Sequence, residues 1–88
     1  MYQFLLLPMD IVDYMKVSKS QALIYIYSVL LDKGEFTKED IQSVVSISDI
    51  SFRRYIQEIR AYLINFNEQK ELLYDRKHSK YILKNIIF

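Results

Sequence analysis

The sequence predicts a single α+β domain, residues 1–88, in which three main helices precede a two-stranded β-hairpin. Three observations support this fold class. Val45–Ile59 has the pattern of a short turn that leads into a long amphipathic helix with two adjacent arginines. Leu72–Leu83 has the pattern of two strands joined by a polar turn. About half of the residues (51%) are hydrophobic, so a chain of this small size has enough apolar side chains for a core.

Residues 1–17 are predicted to be an N-terminal extension of the domain core, residues 18–88. Residues 1–7 are apolar and suit a strand or an extended arm. Pro8 suits the first turn of a short helix that runs to about Lys16, with Asp10 near its positive end. The early apolar run ends at Pro8 and is too short to span a bilayer, so no contact with a membrane is expected.

The first main helix is predicted over Lys19–Lys33. Ser18 or Ser20 suits its N-cap, and Gly34 suits its C-terminal end. Its middle, A-L-I-Y-I-Y-S-V-L-L, is apolar nearly all round, which predicts burial on more than one side. The sequence leaves open whether the first 16 residues wrap over this helix or a second copy covers it, and a homodimer is expected.

Two further helices are predicted on either side of a short turn. Thr37 suits the N-cap of the second, Lys38 to about Val45, with Asp40 as the acid of a weak capping box. Ser48 suits the N-cap of the third. A core stripe on the third helix is predicted from apolar residues spaced three and four apart, with Tyr55 and Tyr62 beside them: Phe52, Ile56, Ile59, Leu63 and Phe66.

Short strands and one helix face complete the predicted elements. Glu35 and Phe36 suit a very short strand before the second helix. The hairpin strands are predicted over residues 72–75 and 80–84. The second helix is predicted to place three aliphatic residues on one side: Ile41, Val44 and Val45.

The charge distribution favours nucleic-acid binding by the second half of the chain. Formal net charge is only +1. Residues 1–45 contain four Lys or Arg and six Asp or Glu, a balance of −2, whereas residues 46–88 contain eight and five, a balance of +3. The basic excess therefore lies in the half that contains the third helix and the hairpin.

Catalysis and cofactor binding have little support in the sequence. The chain has no cysteine and one histidine, His78, so it has neither a thiolate metal site nor a histidine cluster. It has no glycine-rich phosphate loop. The adjacent acids Glu39 and Asp40 suit a helix N-terminus better than a shared substrate. A non-enzymatic protein without metal or cofactor is expected, and the absence of cysteine fits a cytoplasmic location.

The turn and the third helix resemble the helix-turn-helix of the winged-helix regulators typified by the DeoR family, the antiterminator/Mga group and the WYL-domain regulators. The hairpin resembles the wing of that family, which commonly ends in an aromatic and an aliphatic residue, as Tyr81 and Leu83 do. The resemblance covers about Lys19 to Lys84 and implies a winged helix-turn-helix with a two-stranded wing. Nine residues fall into the family's register without a gap: Val45, Ile47, Ser48, Ser51, Phe52, Arg53, Arg54, Ile56 and Ile59.

The chain departs from the family pattern at four positions. Ser46 replaces the turn glycine, which makes a left-handed turn conformation less comfortable. Tyr55 replaces the acid that follows the basic pair. Asp49 and Ile50 replace residues that often face DNA, and the carboxylate of Asp49 repels phosphate.

A second resemblance covers the front of the chain. F-L-L-L-P, a short helix and then S-K-S-Q-A-L-I-Y-I-Y-S-V-L-L-D look like the opening of the winged-helix domains in plasmid and phage replication initiators. This resemblance adds replication control or maintenance of a mobile element to transcription regulation as an expected role.

The resemblances and the basic residues together imply DNA binding by the third helix and the wing. Double-stranded DNA is the favoured partner. The candidate contact residues on the third helix are Ser48, Ser51, Arg53, Arg54, Gln57 and Arg60. The candidates in the wing are Arg76, Lys77 and Lys80 for phosphates, with Tyr74 and Tyr81 for stacking on bases.

Two other functions stay open. One is a single-stranded-DNA-binding protein that uses the basic wing and its tyrosines, because stacking on aromatic rings tolerates any base. The other is a protein-interaction or dimerisation module that has the winged-helix shape without DNA contact. The low net charge and Asp49 favour this last alternative.

Overall fold

A computed structural model describes residues 17–66 and 69–86 of the chain. Within these ranges the fold is α+β, as predicted, with three helices and one antiparallel sheet. The predicted arm over residues 1–7 and the predicted short helix up to Lys16 lie outside the described residues. The elements are α1 (Lys19–Lys33), β1 (Glu35–Phe36), α2 (Lys38–Gln42), α3 (Asp49–Phe66), β2 (Lys70–Asp75) and β3 (Lys80–Asn85).

Helix α1 begins and ends where the sequence predicts. Ser18 Oγ accepts the Gln21 N–H at 3.2 Å, and Gln21 Oε1 accepts the Ser18 N–H at 3.1 Å, which completes a capping box. Gly34 has φ 78°, a left-handed conformation that glycine adopts without Cβ strain. Its N–H donates to Leu30 O at 2.8 Å and closes the helix.

The two later helices also begin at their predicted caps. Thr37 Oγ1 accepts the Asp40 N–H at 3.0 Å, and the Asp40 carboxylate accepts the Thr37 N–H at 2.9 Å. Ser48 Oγ accepts the Ser51 N–H at the start of α3 at 3.1 Å. Each cap satisfies an N–H group that has no partner inside its own helix.

The sheet has three strands in the order β1-β3-β2, so the prediction of a two-stranded wing is wrong. The chain reverses at Gly34 and lays β1, as short as predicted, alongside β3, with Phe36 opposite Tyr81. The Leu83 N–H donates to Gly34 O at 2.9 Å. The ring of Phe36 is buried, and this anchors the short strand β1 to the core.

Helix α2 ends at Gln42 rather than near Val45. The chain tightens after α2, because the Val44 N–H donates to Ile41 O only three residues back, at 3.0 Å. This turn leaves Val44 60% exposed while Ile41 and Val45 stay buried. The predicted shared face of three aliphatic residues is therefore wrong for Val44.

The core lies where α1, α3 and the sheet meet. Helix α3 contributes four of its predicted stripe residues. Phe66 was predicted to continue the stripe, but it is 74% exposed. It lies in the last turn of α3, where no other element of the described chain covers it. The buried residues of α3 are Phe52, Ile56, Ile59 and Leu63.

Helix α1 is fully buried along one side. Ala22, Ile26 and Leu30 have no exposed surface. Ile24 and Leu31 are 68% and 55% exposed. Within residues 17–66 and 69–86 the outward side of α1 stays open, and burial on more than one side remains a prediction that depends on residues 1–16 or a second copy.

Candidate nucleic-acid interface

A groove of about 240 Å³, the hairpin groove, lies between α3 and the β2–β3 hairpin. Helix α3 lines it with Arg53, Gln57 and Arg60, together with the buried Ile56. The hairpin lines it with Tyr74 and Tyr81. The fold thus brings five of the predicted contact residues to one concave surface.

The adjacent arginines face different sides of α3, because successive helix residues are about 100° apart. Arg53 borders the hairpin groove. Arg54 borders the other side of the helix, with Ser51 and Glu58. Gln57 borders both sides and so lies on the crest between them. Within the described residues, neither arginine forms a salt bridge.

Arg60 ties α3 to the sheet. Its Nε donates to the backbone oxygen of Leu72 in β2 at 3.1 Å, in a partly buried position. This bond holds the guanidinium at the edge of the hairpin groove. The other N–H groups of the guanidinium remain as donors for an acidic ligand.

The first turn of α3 combines hydroxyl groups with an exposed apolar side chain. Ser48 Oγ acts as the N-cap, so only its hydroxyl proton remains as a donor. Ser51 is half-buried beside Arg54. Ile50 is 64% exposed between the two serines.

Asp49 has two partners that moderate the phosphate repulsion expected from its charge. Gln42 Nε2 donates to Asp49 Oδ1 at 2.8 Å, and Lys38 Nζ lies 3.4 Å from Oδ2. These partners, the Gln42 hydrogen bond foremost, lower the pKa of the Asp49 carboxyl below its usual value. Gln42 also donates to Ile47 O at 3.1 Å. The same amide therefore holds the turn between α2 and α3.

Lys38 is a basic residue of this surface that the sequence did not single out. It lines a hollow of about 420 Å³ together with Arg53, Tyr74 and Tyr81, and the acids Glu39 and Asp49 line the same hollow. The hollow extends the hairpin groove towards the start of α2. No local pattern marks Lys38 for this position, since only the packing of α2 beside α3 brings it near Arg53.

The tip of the hairpin is organised by Asp75. Its Oδ1 accepts the N–H groups of Lys77 at 3.0 Å and His78 at 3.4 Å, and its Oδ2 lies 2.7 Å from His78 Nδ1. The side-chain hydrogen bond with His78 lowers the pKa of the Asp75 carboxyl. Ser79 then has φ 53°, which turns the chain into β3. Arg76 and Lys77 are exposed, and in the described part of the chain neither has a salt-bridge partner.

Lys80 differs from Arg76 and Lys77 at the tip because it is paired with an acid. Its Nζ lies 2.7 Å from Glu35 Oε2, which joins β3 to β1. This hydrogen bond raises the pKa of the Lys80 ammonium group. A phosphate that used Lys80 would compete with Glu35, so Arg76 and Lys77 are the stronger phosphate candidates.

The two hairpin tyrosines have different surroundings. The ring of Tyr81 stacks on Phe36 and packs edge-on against Phe52, with both centroid distances 5.5 Å. Its burial raises the pKa of its hydroxyl. The ring centroid of Tyr74 lies 4.7 Å from that of Tyr81, and the Tyr74 side chain is 44% exposed. Tyr81 therefore belongs to the edge of the core, and Tyr74 is the better candidate for stacking on a base.

The chain has neither an assembled metal site nor a membrane-spanning helix in residues 17–66 and 69–86. No three His, Cys, Asp or Glu residues there are grouped so that they could hold a metal ion. None of the helices there combines the length and apolar character that crossing a bilayer requires. Comparisons of the chain with protein-family models, with curated proteins and with solved structures found no match.

Proposed function

We propose that this chain is a winged helix-turn-helix protein that binds double-stranded DNA in the cytoplasm, without catalysing a reaction, to control transcription or replication. In this proposal α2, the turn and α3 are the helix-turn-helix, and the β2–β3 hairpin, with β1 paired to β3, is a three-stranded wing. The hairpin groove is the observation that supports it most. There α3 presents Arg53 and Arg60, which have no salt-bridge partner among the described residues, beside the hairpin rings of Tyr74 and Tyr81.

The charge pairing around the groove favours a polyanionic ligand. Asp49 is held by Gln42 and Lys38, and Asp75 is held by His78. Lys38 therefore offsets the charge of Asp49, while Arg53 and the tip cations have no salt-bridge partner among the described residues. Such a surface attracts phosphates through counterion release, which supplies much of the affinity for any DNA sequence.

The crest of α3 suits the major groove of DNA. A recognition helix contacts base edges with residues near its N-terminus. Arg53, Arg54 and Gln57 have the side-chain types that pair with guanine, phosphate and adenine. The exposed Ile50 would add an apolar contact of the kind that suits a thymine methyl group.

The hairpin tip would hold the flanking backbone. Arg76 and Lys77 stand on a turn whose shape is set by the hydrogen bonds of Asp75. A turn fixed in this way presents its cations with less conformational freedom to lose on binding. These contacts would position the protein on the duplex without reading its sequence.

Single-stranded DNA is the second candidate ligand, and one observation favours it. Tyr74 is 44% exposed and shares the hairpin groove with Arg53. An exposed aromatic ring beside a positive charge is the arrangement that stacks an unpaired base. The packing of Tyr81 against Phe36 and Phe52 leaves this candidate with a single stacking ring in the groove.

The proposal is tested by fluorescence anisotropy with a labelled mixed-sequence duplex and the matching single strand over a range of salt concentrations. We expect the duplex to bind more tightly. The double variant Arg53→Ala/Arg76→Ala should make the log–log salt slope shallower by about 2, since each lost phosphate contact reduces it by about 1.

The matched control is Lys33→Ala/Lys84→Ala, which also removes two positive charges. Both lysines are exposed and neither lines the hairpin groove. The control should keep the wild-type slope. Equal losses in the two double variants would show that only net charge matters. No duplex binding at low salt would favour the protein-interaction alternative.

A further inference from the structure

A second groove, of about 430 Å³, lies between α1 and α3 and is called the apolar groove. The rings of Tyr27 and Tyr62 meet edge to face across it, with centroids 5.5 Å apart. Its one charged residue, Glu58, has Lys19 Nζ at 3.5 Å from its carboxylate. The residues that line the groove are Leu23, Ile24, Tyr27, Glu58, Ile59 and Tyr62.

The apolar surface continues beyond the groove along both helices. Ile24 is 68% exposed, and Leu31 follows two helical turns later on the same side of α1, 55% exposed. On α3, the ring of Phe66 lies 5.3 Å from that of Tyr62 and is 74% exposed. Single exposed apolar residues are ordinary, but a contiguous patch of them marks an interaction surface.

We propose that residues 1–16 of the same chain pack on this apolar groove. The segment reads M-Y-Q-F-L-L-L-P-M-D-I-V-D-Y-M-K and is dominated by aliphatic, aromatic and methionine side chains. Such a segment gains free energy by covering exposed apolar surface. The groove is lined almost wholly by side chains of the same kind.

The attachment point places this segment within reach of the groove. Residue 16 directly precedes Val17 and the Ser18 cap at the start of α1. At about 1.5 Å rise per helical residue, Ile24 lies roughly 10 Å along α1 from Val17. An extended chain covers about 3.3 Å per residue, so roughly three residues span that distance. The rest of the segment is long enough to follow the patch to Leu31.

The tether favours this occupant over a second copy of the chain. A segment joined by a short linker has an effective concentration of about millimolar at its site. A second copy competes only at its free concentration, which is far lower in a dilute solution. Of the two occupants that the sequence leaves open, the geometry therefore points to the segment from the same chain.

Hydrogen exchange of the full-length protein, followed by mass spectrometry at two protein concentrations tenfold apart, tests the proposal. In the wild type the amides of residues 1–16 should exchange at least tenfold more slowly than in an unstructured chain, equally at both concentrations. Ile24→Lys should abolish this protection while the amides of α3 keep theirs. Leu31→Lys is a second variant of the same surface and should act in the same direction.

The matched control is Ile64→Lys. Ile64 is 72% exposed, close to the 68% of Ile24, but it borders β2 rather than α1. This variant should leave the protection of residues 1–16 unchanged. The proposal is overturned if residues 1–16 lack protection in the wild type, or if Ile24→Lys and Leu31→Lys leave the protection intact. Protection that rises with protein concentration would also overturn it, since a second copy would then cover the groove.

Discussion

Helix α3 borders two grooves of opposite chemistry. Its hairpin side carries Arg53 and Arg60, and its α1 side carries Ile59 and Tyr62. In the hairpin groove the surplus is positive charge, because its described lining includes Arg53 and Arg60 and no acid. In the apolar groove the surplus is apolar surface. One amphipathic helix thus serves a site suited to a polyanion and a site suited to a protein segment.

The two sides also differ in what holds them. The hairpin side depends on directional contacts, such as the bond from Arg60 Nε to Leu72 O and the turn built by Asp75. The α1 side depends on ring packing between Tyr27 and Tyr62, with one exposed ion pair between Lys19 and Glu58. A substitution on one side should therefore affect only that surface, unless it removes a core side chain that supports both.

The largest effect is expected from Phe52→Ala. Phe52 is 1% exposed and packs against Phe36 and Tyr81, so its loss should destabilise the fold by about 3–5 kcal/mol. This is a large share of the stability of a small domain. Urea unfolding followed by circular dichroism measures the change.

Phe66→Ala is the matched control, since the same side chain there is 74% exposed. It should destabilise the fold much less than Phe52→Ala, since no described element covers the ring of Phe66. Similar losses in the two variants would show that Phe66 is buried by a part of the chain outside residues 17–66 and 69–86.

The next effect concerns Arg53→Ala and Arg54→Ala as single variants. Both should weaken duplex binding and leave the unfolding curve unchanged. Loss of an arginine that reads a guanine should reduce discrimination against other bases by about 1–3 kcal/mol. Loss of an arginine that holds a phosphate should lower affinity for all sequences alike. Titration of several duplexes at fixed salt distinguishes the two roles. Unchanged affinity in both variants would show that neither arginine contacts the duplex.

A smaller effect is expected from Tyr74→Ala, measured by competition at fixed salt between a mixed-sequence single strand and its duplex. The duplex should win, and Tyr74→Ala should weaken it less than Arg53→Ala does. Tighter binding of the single strand, with a loss of about 1–3 kcal/mol of binding free energy in Tyr74→Ala, would identify the groove as a single-strand site. Tyr81→Ala is unsuitable as the test variant, because its ring packs on Phe36 and Phe52.

The smallest effect concerns acid stability at the turn between α2 and α3. The folded pKa of Asp49 is lowered, chiefly by Gln42 and then by Lys38, so the carboxylate stabilises the fold above its usual pKa of 3.8. This contribution is lost as the pH falls through the lowered value. Urea midpoints of the wild type and Asp49→Asn should therefore differ at about pH 6 and converge in strong acid. A constant difference at every pH would contradict this role.

Local patterns predicted much of the fold because they depend on neighbouring residues. The caps at Ser18, Thr37 and Ser48 and the end of α1 at Gly34 follow from backbone groups within four residues. The stripe on α3 follows from helical periodicity, and it is wrong only at Phe66. Periodicity identifies a helix face but not how far a neighbour covers it.

Contacts between distant residues could not be predicted in this way. The Glu35–Lys80 pair joins residues 45 apart and requires the third strand, β1, which the predicted wing lacked. The Lys38–Asp49 pair requires the short α2 and the tight turn after it. Helix geometry separates Arg53 from Arg54, but which of the two faces the hairpin appears only when the hairpin is in place.

The most direct test of the central claim is to map amide chemical shifts of the full-length protein by NMR as a mixed-sequence duplex is added. The account predicts shifts concentrated on the first turns of α3, from Ile50 to Gln57, and on the hairpin tip around Arg76 and Lys77. It predicts little change along the apolar groove, at Ile24 and Tyr62. Shifts confined to the apolar groove, or none at any duplex concentration, would contradict it.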